Sequence, residues 1–169
     1  CLCGVPCRYD GKPVDVESIV GPVAEASGAS WPDLAALSAA GLVLPVCPEL
    51  EGGLPAPRAP VELRDGRAYS RDGDEFTSEF REGAQKALAA ARSTSLPDGT
   101  ILAILKDKSP SCGSTCVYDG TFSSRLLPGQ GMAAAWLEEH GVLVLNEAAG
   151  LRLLALHLPD DWKKRAEGK

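Results

Sequence analysis

"TILAIL", residues 100–105, is a continuous apolar run bounded by "PDG" on one side and "KDKSP" on the other. It is too short for a helix and lacks the apolar/polar alternation of a half-exposed strand, so it predicts a strand buried on both faces, as in parallel sheets. Two further runs have the same character, "LVLPV" at 42–46 and "VLVLN" at 142–146. Each of the three follows a stretch with helical signals. In "SWPDLAALSAAG", residues 30–41, Ser30 can cap, Pro32 and Asp33 suit a first turn and Gly41 a stop. From Glu75 to Arg92, Phe76, Phe80, Ala84, Ala87, Leu88 and Ala91 recur at helical spacing. "PGQGMAAAWLEEHG" at 128–141 closes on Gly141. Residues 15–27 carry a weaker helical pattern. Helix and strand alternate three times, which predicts an α/β fold with a doubly wound, mostly parallel sheet.

In such sheets ligands bind beyond the carboxyl ends of the strands. Cys47 directly follows "LVLPV", and Cys112 lies a few residues after "TILAIL". The sequence opens on Cys1 with a glycine turn behind it, and a first strand ahead of Cys1 would bring that residue to the same edge. Three thiols from separate loops then converge. A free cysteine is ordinarily a small buried hydrophobe, but three at successive strand ends, next to Pro or Gly, suit an iron–sulfur cluster. Three ligands leave one iron open, as catalytic metal sites require. Cys3, Cys7 and Cys116 remain candidates for a fourth ligand.

The composition excludes several alternatives. The chain has 169 residues, 44% of them hydrophobic, enough for one domain with its own core, and its six cysteines are too sparse for a disulfide-stapled scaffold. His140 and His157 stand far from the cysteines, and the cysteines form no matching C-x-x-C pairs, which argues against a zinc ribbon. A formal charge of −6 provides no net attraction for nucleic acid. No apolar run approaches the roughly 20 residues of a membrane span, and no segment reads as a secretory signal. A cytoplasmic protein acting on a small molecule is expected.

Residues 48–74, "PELEGGLPAPRAPVELRDGRAYSRDGD", are too rich in Pro and Gly for long elements, apart from a hairpin at Asp65-Gly66. Glu49 lies two residues from Cys47, within reach of anything bound there, so it is the candidate general base, although an average Glu is a solvated surface group. Ser109 and Ser111 flank Pro110 ahead of Cys112; ordinary turn residues by type, they could also orient a substrate or a water. Gly52 and Gly53 let backbone approach a ligand or turn sharply. Arg58, Arg8 and Asp10 fit loop-fixing ion pairs as well as substrate contact. From Ala148 a tail with "LRLLALHLP" suggests a helical extension.

At these residues the sequence resembles the thiouracil desulfidases, formerly a domain of unknown function. The resemblance rests on "CLCGVPCRYDG", "PVCPELEGGLPAPR", "ILKDKSPSCGSTCVYDGTFS" and "LLPGQGMAAAWLEEHGVLVLNE", which run in order from Cys1 to Glu147. It implies a Rossmann-like three-layer sandwich over residues 1–147, with 148–169 as the extension. It also implies a 4Fe-4S cluster on Cys1, Cys47 and Cys112, with catalytic roles for Glu49 and a serine of "SPSC" (Ser109 or Ser111); Gly52, Gly53 and Arg58 are the candidate substrate contacts by residue type and place. The implied reaction is non-redox: a thiolated pyrimidine binds the open iron through sulfur, Glu49 activates water, and sulfide leaves. The chain differs from the family pattern at Cys3, where an aliphatic residue is usual. The alternative is a non-enzymatic metal or iron–sulfur module in which Cys3 or Cys116 completes a four-cysteine shell.

Overall fold

The structure, a computed structural model, describes residues 2–19, 21, 33–94 and 99–158. Its elements are α1 (Leu34–Ala39), α2 (Pro48–Glu51), β1 (Val61–Arg64), β2 (Arg67–Ser70), α3 (Thr77–Arg92), β3 (Leu102–Leu105), β4 (Cys116–Tyr118), β5 (Leu126–Pro128), α4 (Met132–Glu139), β6 (Leu143–Asn146) and α5 (Glu147–His157). Cys1 and Ser30 lie outside the described residues, and of the helix predicted at 15–27 only residues 15–19 and 21 are described, with 16–19 and 21 helical.

Two of the three predicted strands pair with each other. β3 and β6 run parallel, with Leu102 opposite Leu143 and Leu105 opposite Asn146. Their side chains alternate between two apolar layers, as the two-residue period of a strand dictates. Ile104 packs into the cluster of Leu34, Leu37 and Leu151, whereas Ala103, Leu105 and Val144 face Leu88 and Leu137. The parallel pair is thus covered by α1 and α5 on one face and by α3 and α4 on the other. This is why "ILAIL", residues 101–105, is apolar at every position.

The third run, Leu42–Val46, corrects the expectation of a buried parallel strand. It joins no ladder among the described residues, and Leu42 and Leu44 are 40% and 48% exposed. It lines, together with Leu102–Lys106, one cavity of about 760 Å³. Leu42–Val46 pairs with no described strand, so the apolar sequence alone does not make it one.

Two antiparallel hairpins complete the sheet content. β1–β2 turns at Asp65 and Gly66, both at positive φ (51° and 73°), the backbone of the favoured two-residue turn. β4–β5 was not foreseen and follows the loop that carries Cys112. The predicted helix stops are present, with Gly41 and Gly141 at positive φ just past α1 and α4. The cap of α1 is Asp33, whose Oδ1 accepts the N–H groups of Ala35 and Ala36 at 2.9 and 3.2 Å. α5 starts at Glu147, its side-chain cap Asn146 accepting from Ala149 N at 2.8 Å. It packs Gly150 against Ile104 and leaves Leu151 only 1% exposed, so this part of the tail belongs to the core around β3. No helix among the described residues is long and apolar enough to cross a membrane.

Candidate active site

Three loops meet at the carboxyl end of β3. Cys47 is the residue ahead of α2, extended at φ −115° and ψ 105°, with Pro48 opening the helix. α2 is held by an unusually close crossing with α3. A Cβ on Gly83 would stand 1.8 Å from the Pro48 carbonyl oxygen, and one on Gly52 would stand 2.1 Å from that of Glu79. Gly52 is therefore buried, packed against the backbone of α3. Gly53 is exposed at φ +88° and serves the turn.

The loop after β3 is fixed at both ends. The Asp107 carboxylate accepts from Ser114 N (2.7 Å), Thr115 N (2.9 Å) and the Thr115 hydroxyl, while Asp107 N donates to the buried Glu147 carboxylate at 2.7 Å. Burial opposes ionisation of Asp107, but the hydrogen bonds from Thr115 and Ser114 outweigh it and hold the carboxyl below its ordinary range. At the far end, the carbonyls of Pro110 and Ser111 accept from Met132 N, Ala133 N and Ala134 N, satisfying the first amides of α4. Gly131 is required there, since its Cβ would meet the Ser111 carbonyl oxygen at 2.4 Å.

Within this frame Glu49, Arg58 and Ser109 form one network. Glu49 Oε2 is ion-paired with Arg58, and Glu49 Oε1 accepts from the Ser109 hydroxyl at 3.3 Å. Ser109 Oγ accepts in turn from Ser111 N (3.2 Å) and Cys112 N (3.0 Å). With two amides pointing at its oxygen, the hydroxyl is oriented to donate to Glu49. Arg58 also donates to the carbonyls of Pro55 (2.9 Å) and Cys7 (3.3 Å), and its side chain is only 8% exposed. It is thus committed to Glu49 and the loops instead of standing free for substrate. Arg8 pairs locally with Asp10. Ser111 is wholly buried, and its Oγ has no partner among the described residues. Of the two predicted serines, Ser109 is the one whose hydroxyl is hydrogen-bonded to the Glu49 carboxylate.

All five described cysteines are free thiols. Burial, reinforced by the charge of Glu49, pushes Cys112 up to about 12. Cys47 interacts with both Cys112 and Cys7. The electrostatic interaction of Cys7 with Cys47 lowers the Cys7 thiol from its usual range against the effect of burial, and together with burial raises that of Cys47. The interaction of Cys7 with Cys47 was not visible in the sequence, where Cys7 was one of three spare cysteines. Cys116 lies in β4 opposite Pro128. Among the described residues no three His, Cys, Asp or Glu side chains form a metal site, and the described chain supplies two of the three predicted ligands, Cys47 and Cys112. Their donor chemistry, half-buried thiols on separate loops, fits a soft metal cluster and not a hard cation.

The chain is 34% identical over 157 residues to the Bacillus subtilis (strain 168) protein YbbK, covering 87% of this chain and 91% of that protein. Its fold matches the solved structure of the [4Fe-4S]-dependent thiouracil desulfidase TudS, with a TM-score of 0.72 and 36% identity over 94% of this chain and 95% of that one. The 2-thiouracil desulfurase family matches residues 1–149, and the chain belongs to that family.

Proposed function

We propose that the protein is a thiouracil desulfidase that converts a thiolated pyrimidine such as 2-thiouracil and water into the oxo base and hydrogen sulfide, without net oxidation or reduction. The observation that carries this reading is the pairing of Glu49 with Ser109, each within three residues of a predicted ligand cysteine. A 4Fe-4S cluster on Cys1, Cys47 and Cys112 supplies, when bound, an open iron that takes the thiocarbonyl sulfur and withdraws electrons from the adjacent carbon. The chain's own residues do the rest. Glu49 takes a proton from a water directed at that carbon. Ser109 holds Oε1 of Glu49 from one side and Arg58 holds Oε2 from the other, so the carboxylate cannot swing away. Cys47 and Cys112 must give up their protons to bind metal, and burial of Cys112 makes that loss depend on the metal.

The same reading extends the parallel β3–β6 pair with helices on both faces to a Rossmann-like three-layer sandwich over residues 1–147, with the site at the strand ends. The acidic chain favours a free base or nucleoside in the cytoplasm over intact RNA. The test is sulfide release by anaerobically reconstituted protein from 2-thiouracil, 4-thiouracil and thiolated transfer RNA, in ¹⁸O-labelled water and without reductant. One ¹⁸O per sulfide released from the free bases is expected. Cluster-loaded protein that releases no sulfide, or releases it only with a reductant, overturns the reaction; faster release from the RNA overturns the substrate class.

A further inference from the structure

The loop that carries Ser109 is closed on itself. Lys108 N donates to the Cys116 carbonyl at 3.1 Å, Gly113 N donates to that of Ser109 at 2.9 Å, and the Asp107 carboxylate accepts from Ser114 N and Thr115 N. A loop bonded in this way shifts as one piece, so what fixes the piece to the rest of the protein also fixes Ser109.

Apart from the contact of Ser109 with Glu49, two attachments stand out among the described residues. At the first, backbone meets backbone: Gly131 N donates to the Gly113 carbonyl at 2.7 Å, and the first amides of α4 reach the carbonyls of Pro110 and Ser111. At the second, α5 supplies side chains. Glu147, only 9% exposed, accepts from Asp107 N at 2.7 Å, and Asn146 Nδ2 donates to the Asp107 carboxylate at a longer 3.5 Å. Glu147 is not needed to start the helix, because Asn146 already caps it by accepting from Ala149 N at 2.8 Å. A carboxylate can also favour a helix N-terminus from the solvent side. Burying one is costly unless it is hydrogen-bonded, and the bond that Glu147 makes goes to the residue where β3 ends and the loop begins.

The placement matters at Glu49. Ser109 Oγ stands 3.3 Å from Glu49 Oε1, already long for a hydroxyl donor, so a small displacement of the loop breaks the contact. We propose that Glu147 is a positioning residue for the reaction, which sets Ser109 against Glu49 by accepting the Asp107 amide. The proposal rests on the desulfidase reading above for its effect on turnover, though not for its effect on the Ser109–Glu49 distance.

The test compares wild type, Glu147→Ala and Glu147→Gln, whose amide oxygen can still accept from Asp107. Crystal structures of the unloaded proteins read the separation of Ser109 Oγ and Glu49 Oε1. It should open beyond hydrogen-bond distance in Glu147→Ala and stay closed in Glu147→Gln; a closed contact in Glu147→Ala overturns the proposal. In anaerobically reconstituted protein at equal iron content, Glu147→Ala should lower kcat for 2-thiouracil by up to about 10²-fold with little change in KM, and Glu147→Gln should recover most of the loss. Glu147→Ala should add little to the loss already caused by Ser109→Ala, since both act through the same hydroxyl. Losses that multiply in the double variant, or a raised KM at unchanged kcat, overturn the positioning role. Wild-type protein that releases no sulfide from 2-thiouracil overturns the desulfidase reading instead, and the crystal structures then decide whether Glu147 places Ser109. If Glu147→Ala does not fold, Glu147→Asp, whose shorter side chain draws the acceptor back from Asp107, is read by the same distance and the same kcat.

Discussion

Arg58 and Glu49, nine residues apart, form an ion pair whose side chains are only 8% and 13% exposed, and the same guanidinium holds the carbonyls of Cys7 and Pro55. One side chain thus joins the first cysteine loop, the loop after Cys47 and the carboxylate of the site.

A pair this buried gains little over an apolar replacement but is costly to break on one side, because the remaining charge stays in a dry environment. Arg58→Met should lower unfolding free energy by about 3–5 kcal/mol. Glu49→Leu added to it should recover part of that loss, so the two effects fall well short of additive. Urea melts of the two single variants and the double variant measure the coupling. Simple additivity would mean that the pair contributes nothing structural.

The crossing of α2 and α3 gives a second expectation. Helix propensity alone would make Gly83→Ala favourable by up to about 1 kcal/mol in the middle of α3. A Cβ 1.8 Å from the Pro48 carbonyl reverses the sign, since overpacking costs typically about 1–3 kcal/mol and backbone cannot yield as a side chain does. Gly83→Ala should therefore lower the urea midpoint. Because Pro48 follows Cys47, it should also lower iron content after reconstitution. A midpoint at or above wild type would show that the helices separate freely.

How much of this was legible in the sequence depended on whether a signal was local. "TILAIL" and "VLVLN" read as strands because apolar residues on both faces leave few alternatives, and Asp65-Gly66 read as a turn because its backbone demands those residues. "LVLPV" has the same composition and forms no ladder, because pairing needs a neighbour that the run itself does not encode. The site divided in the same way. Glu49 and Ser109 were found by proximity to cysteines. Ser111, identical in type and one residue from Cys112, faces inward, and only the fold could tell them apart. The partnership of Arg58 with Glu49 and of Cys7 with Cys47 joins segments 9 and 40 residues apart, at no spacing a motif would reveal.

Asp107 supplies a pH dependence with a definite sign. Its carboxyl is held below the ordinary range by hydrogen bonds, so it binds its proton less readily folded than unfolded. Its contribution is complete above the unfolded value of about 3.9 and is lost as pH falls through the lower folded value. The stability difference between wild type and Asp107→Ala should be about 1–2 kcal/mol near neutral pH, since the group is partly exposed, and should shrink below about pH 4. Urea melts across this range measure it. A difference that grows as the solution is acidified would mean that the carboxylate is not what holds the loop.

Ser109 and Ser111 should respond oppositely to the same substitution. Ser109→Ala removes an oxygen that accepts two amides and a proton donor to Glu49, leaving Ser111 N and Cys112 N without their acceptor beside a predicted ligand. Loss of one positioned hydrogen bond at a reacting centre typically lowers turnover by about 10²–10³-fold, and Ser109→Ala should fall on that scale while retaining its cluster. Ser111→Ala removes a hydroxyl that is wholly buried and has no partner among the described residues. Deleting an unsatisfied buried polar group is neutral or stabilising, so this variant should match or exceed the wild type in urea and release sulfide from 2-thiouracil at a similar rate. Sulfide assays on both variants at equal iron content separate the roles. Equal loss of activity in the two would place the Ser111 hydroxyl in the chemistry, reached through a movement of the loop between β3 and β4.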